Sequence, residues 1–149
     1  MTLAISTAPP GQSCTNDFHF RLCLQPNRGS GDAYELRLDQ LSGYPMNYRL
    51  SGPSVQLTEG QLSTDEGEAV QRQLQEAGLW SLQDGDSGEP ENCVYYTVCE
   101  VEMGDSHRLS NWRGLPEPQA SVAGYFVASP LFRKWTSQAL HWCAQQKNP

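Results

Sequence analysis

The stretch Phe18-His19-Phe20-Arg21-Leu22-Cys23-Leu24 alternates without a break. In an extended chain Phe18, Phe20, Leu22 and Leu24 share one face while His19, Arg21 and Cys23 share the other, the period of two that a half-buried strand requires. A helix would scatter those apolar side chains around its axis, so the feature commits the fold to a sheet with one covered face. The pattern returns after the loop Pro26 to Gly31, where Tyr34, Leu36 and Leu38 alternate with charges, and again after Ser42-Gly43-Tyr44-Pro45, where Met46, Tyr48 and Leu50 alternate. Gly52-Pro53 then precedes a shorter segment, Val55 and Leu57, ending before Gly60. Short alternating runs separated by Gly and Pro turns read as an antiparallel meander.

The period then changes. Ser63-Thr64-Asp65-Glu66 has the S-x-x-E form of a capping box, so a helix is expected over 64–77. With Ala69 as zero, Val70, Leu74 and Ala77 fall at about 100°, 140° and 80°, one arc, with Gln71, Arg72 and Gln75 expected to point away. Gly78 stands at C′, and Leu79 follows to pack back on Leu74. The acidic loop Asp84 to Glu91 lacks the Gly and the bidentate Glu of a calcium-binding loop and reads as solvated. A long strand is expected from Asn92 to Met103, with Glu100 and Glu102 facing solvent. Gly104-Asp105 fits a two-residue hairpin turn, so Ser106 to Trp112 should pair back. Arg113 to Pro118 reads as a loop, and 119–127 as either a short helix or an irregular packed segment. Ser129 as N-cap and Pro130 at N1 open a closing helix. Its apolar arc holds Leu131, Phe132, Trp135, Ala139, Trp142 and Cys143, opposite Arg133, Lys134, Ser137 and His141. The expected fold is α+β: an antiparallel sheet of about five to six strands, a meander plus a hairpin, with two amphipathic helices on one face, forming a single domain over 17–146 after a flexible arm over 1–16.

Function is less legible. Ten Lys and Arg stand against 17 Asp and Glu among 149 residues, a net charge of −7 that disfavours nucleic acid and anionic membranes and suits a basic or strongly polar protein partner. No apolar run approaches the roughly 20 residues of a membrane-spanning helix. The five cysteines are odd in number and scattered, and MTLAISTAPPGQS lacks the basic residues of a signal peptide, so the expected compartment is the reducing cytoplasm. Cys14, His19 and Cys23 do not make a local zinc site, because His19 and Cys23 lie about 13 Å apart on a strand, and no C-x2-C pair is present. Cys93 and Cys99 are about 20 Å apart, too far for a disulfide. No phosphate-binding glycine motif or nucleophile elbow occurs, so neither a metal nor a cofactor is expected. A cysteine nucleophile meeting His107 or His141 in space stays an alternative, as does an accessory subunit of a larger assembly.

The expected role is therefore a non-enzymatic protein-binding module. Its candidate contact segments are Gly52 to Gly60, Asp84 to Asn92 and, first, Trp112 to Pro118, where Trp112, Arg113 and Leu115 combine apolar area with a cation ahead of two stiffening prolines. Leu62-Ser63-Thr64-Asp65-Glu66, then Leu74 to Leu82, then Val94-x-Tyr96-x-Val98 with the Gly104 turn and a closing amphipathic helix together resemble the emfourin family over about 60–145. Asn92 stands where that family has Asp, and the first 45 residues lie outside the match. The resemblance implies a small proteinaceous inhibitor of thermolysin-like metalloproteases. It assigns no inhibitory residue.

Overall fold

The computed structural model describes residues 17–26, 33–53, 55–82, 85–86, 95–113 and 119–145. Their elements, in chain order, are β1 (Phe18–Pro26), β2 (Tyr34–Gln40), β3 (Met46–Gly52), β4 (Val55–Leu62), α1 (Thr64–Glu76), a single 3-10 turn (Leu79–Ser81), β5 (Gly85–Asp86), β6 (Tyr95–Met103), β7 (Ser106–Arg113), α2 (Gln119–Ala128) and α3 (Arg133–Gln145). The strands form one sheet in the order β4-β3-β2-β1-β6-β7-β5. Every neighbouring pair is antiparallel except the two-residue β5, which runs parallel to β7. The fold is α+β, a meander and a hairpin joined through β1. No helix among the described residues is long and apolar enough to cross a membrane.

The alternation of β1 decides which side is covered. Phe18, Phe20, Leu22 and Leu24 are paired in register with Gln40, Leu38, Leu36 and Tyr34 on β2 and with Met103, Val101, Cys99 and Thr97 on β6. All of these are buried, because the three helices pack on that face. Phe20 stacks on Phe126 of α2 at 5.7 Å, and Phe126 meets Phe132 edge-on at 5.2 Å. Tyr34 packs against Trp135 and Trp142 of α3 at 6.2 and 5.2 Å. The indole nitrogen of Trp135 donates to the Ser51 carbonyl at 2.8 Å, which removes the cost of burying a donor.

The local signals at α1 and at the hairpin act as their chemistry requires. Ser63 accepts from the Glu66 amide at 3.1 Å while the Glu66 carboxylate accepts from the Ser63 amide at 2.9 Å. Gly78 follows the C-cap Ala77 at φ 108, and Gly104 opens the β6–β7 turn at φ 57, both in the left-handed region that favours glycine. Met103 and Ser106 are paired across that turn.

Five expectations change. A third helix covers the sheet: 119–127, left open between a helix and an irregular segment, forms α2. Its apolar residues occur without a clear period because Val127 and Ala128 on the exposed side are as apolar as the buried Val122, Ala123 and Phe126. Gln71 is buried instead of pointing away. The covered arc of α1 is centred near 150°, holding Gly67 and Gln71 at about 160° and 200° beside Val70 and Leu74. β4 runs on through Gly60 to Leu62, since the missing Cβ at Gly60 leaves room for the Tyr48 ring. Arg113 belongs to β7 and not to a loop. Regular helix in α3 begins at Arg133, after a lead-in turn in which the Ser129 carbonyl accepts from Phe132 and Arg133 at 3.2 and 2.8 Å, and Leu131 in that turn is 40% exposed. The expected flexible arm, 1–16, lies outside the described residues.

Candidate functional site

The three contact segments expected from sequence fare differently. Trp112 and Arg113 are the last residues of β7, opposite Thr97 and Tyr96, while Leu115 lies outside the described residues. Of Asp84 to Asn92, only Gly85 and Asp86 are described, as β5 alongside Ser110 and Asn111. Gly52 to Gly60 is where the structure builds a site, because it contains most of β4, the outer strand of the sheet.

Among the described residues β4 pairs only with β3. Its other margin therefore carries backbone groups without a strand partner. Leu50 is paired with Thr58, but Gly52 is paired with Val55, so the ladder slips by a residue. Such a bulge bends the strand and lets Val55 and Thr58 both turn toward the helix layer. There they line a groove of about 400 Å³ together with Leu50, Leu131, Trp135 and Lys134, with amide groups from Gln56 and Gln138. Leu131 at its rim and Leu57 on β4 are 40% and 47% exposed. Sequence reading missed the α3 side of this groove. Trp135 reads as core and Lys134 as solvent face, and both are so, but nothing in their spacing says that β4 runs beside them.

The face of the sheet opposite the helices is polar around His19 and Arg21, while Cys23 and Val98 on the same face are buried. His19, Arg21, Arg37, Asp39, Glu100 and Glu102 surround a depression of about 320 Å³ on it. Arg21 lies between Glu35 and Glu100 at 3.6 and 3.4 Å, Arg37 is 3.9 Å from Glu35, and Arg49 is 3.3 Å from Glu59. His19 Nδ1 stands 2.6 Å from Asp39, and His107 Nε2 stands 3.1 Å from Glu100. The His107 hydrogen bond, joined by the Arg21 guanidinium, holds the Glu100 carboxyl below its ordinary range against the opposing effect of partial burial. Each arginine in this array has a carboxylate partner, and the arrangement is that of a solvated sheet face with its charges mutually compensated.

The described thiols are buried. Burial pushes both Cys99 and Cys143 up to about 12, and it also raises Cys23, where Arg21 acts in the opposite direction. All are thiols, not thiolates, at neutral pH. His19 lies about 13 Å along β1 from Cys23, and His141 is about 200° around α3 from Cys143. Cys14 and Cys93 lie outside the described residues. Among the described residues no group of three or more His, Cys, Asp and Glu is placed to hold a metal ion. No protein-family model matches the chain, and no curated protein sequence matches it.

Proposed function

We propose that the chain is a non-enzymatic protein-binding module that docks its partner on the β4 edge and the groove beside it. The observation that carries this reading is the margin of β4 that no described strand covers, next to a groove lined by both apolar and polar side chains, with Leu131 exposed at its rim and Leu57 exposed on β4 itself. Unpaired strand edges and adjoining apolar side chains are an aggregation hazard that proteins ordinarily cover or charge. Strand addition turns the same features into affinity, with the backbone supplying hydrogen bonds and the groove accepting side chains. Among the described residues, the buried, protonated thiols weigh against Cys23, Cys99 or Cys143 as a nucleophile in the alternative reading.

The emfourin resemblance makes a thermolysin-like metalloprotease the partner to assay first. Titrating the purified chain into such a protease at micromolar concentration should give saturable inhibition, and Leu57→Lys/Leu131→Lys should abolish it while leaving the melting temperature within a few degrees. Inhibition lost instead in Trp112→Ala/Arg113→Ala would move the contact to the end of β7. No inhibition by the wild type would remove that protease as a partner.

A further inference from the structure

We infer that the groove between β4 and α3 receives an extended, acidic segment of the partner protein, its backbone added to the β4 edge and one of its carboxylates held by Lys134. The inference rests on the docking reading above and adds the chemistry of the occupant. Of the residues lining the groove, Leu50, Val55, Leu131 and Trp135 are apolar, and Lys134 is the charged one. Lys134 has no ion-pair partner among the described residues. Arg133 beside it is exposed, and α3 contains no acidic residue at all. In a chain with a net charge of −7, this is a local positive field bordering apolar surface.

The nearest acid on β4, Glu59, is engaged by Arg49 at 3.3 Å, so its repulsion of an incoming carboxylate is reduced. The groove, about 400 Å³, lies at the lower end of the roughly 300–1,000 Å³ typical of small-ligand sites. That size suits an extended strand laying alternate side chains into it, and not a folded domain. Successive side chains of a strand point to opposite faces, so an apolar residue and an acid spaced two apart would enter the groove together. Gln138 and Gln56 also line the groove and bring amide groups that can donate hydrogen bonds.

The test uses the full chain and three fluorescein-labelled octapeptides. In the first, threonine alternates with valine and glutamate in turn, so that valine and glutamate share a face, and glutamine or lysine replaces glutamate in the other two. By fluorescence anisotropy the glutamate peptide should bind at least tenfold more tightly than the glutamine peptide, and less tightly as salt rises. Lys134→Glu should remove that preference and favour the lysine peptide, and N-methylating alternate backbone amides of the glutamate peptide should abolish binding. Equal binding of all three peptides, still blocked by N-methylation, would overturn the acidic occupant while leaving edge docking intact. A concentration-dependent dimer lost in Thr58→Pro, with no peptide bound, would assign the edge to a second copy of the chain and overturn the inference. No peptide bound and no dimer would overturn the docking reading as well.

Discussion

At the scale of single residues, the fit that seats α1 on the sheet is at Gly67. A Cβ there would lie 2.7 Å from both Gln40 Oε1 and Met46 Cβ, so only glycine lets α1 settle onto β2 and β3. The space is occupied by a buried amide relay. Gln40 Nε2 donates to the carbonyls of Tyr44 and Thr64 at 2.8 and 3.2 Å, and its Oε1 accepts from Gln71 at 2.7 Å. Gly67→Ala gains helix propensity of about 1 kcal/mol but must displace this relay or the Met46 backbone, so a net loss of roughly 1–2 kcal/mol is expected in urea denaturation. The thiols make a pH prediction. The folded chain holds Cys99 and Cys143 near 12, against an ordinary value of 9.0, so on raising the pH the unfolded chain loses these protons first. Stability from this source is fully present below pH 9 and falls as the pH climbs toward 12. Alkylation followed by mass spectrometry should leave Cys99 and Cys143 unmodified at pH 8 until denaturant is added. Gln71 shows why residue-level reading stops short: its polarity points it to solvent, and only Gln40 on another element gives its buried Nε2 an acceptor, while its Oε1 is buried without a partner among the described residues.

Elements were legible wherever a local signal sufficed. The capping box, the Gly78 terminus, the Gly104 turn and the alternation of β1 to β3 are all short-range chemistry, and each element they mark is present. α2 was not legible, because apolar residues on most of its surface erase the period that separates a buried helix from an irregular segment. The continuation of β4 past Gly60 depends on Tyr48 of the neighbouring strand, which no reading of β4 alone contains. The register of α3 is open to a direct check. Trp135 is 4% exposed and bonded to Ser51, whereas His141 is exposed on the opposite side of the helix. Trp135→Ala should cost roughly 3–5 kcal/mol, through lost burial and an unpaired Ser51 carbonyl, and His141→Ala under about 0.5 kcal/mol. Equal losses in chemical denaturation would refute the register.

For the whole molecule the governing fact is that the groove is assembled from distant parts of the chain. Val55 and Thr58 meet Lys134 and Trp135 only because α3 is laid back over β3, so the site has no sequence motif. The sheet is non-local in the same way. Its central pair joins Phe18 to Met103 and Arg21 to Glu100, contacts that close loops of some 80 residues. Such pairings are paid for in loop entropy before they return any stabilisation, so stopped-flow refolding should fall in the millisecond-to-second range and not the microsecond range of helical bundles. The placement of β1 also has a consequence for how the protein is made. On the ribosome the meander β1 to β4 emerges first, and β1, destined for the middle of the sheet, is then an outer strand with Phe18, Phe20, Leu22 and Leu24 uncovered. At about 5–20 residues per second, the β6 strand that will pair with it follows only after several seconds. Throughout that interval the nascent chain offers two open margins, one at β1 and one at β4, and among the described strands only the one at β1 is closed as synthesis continues.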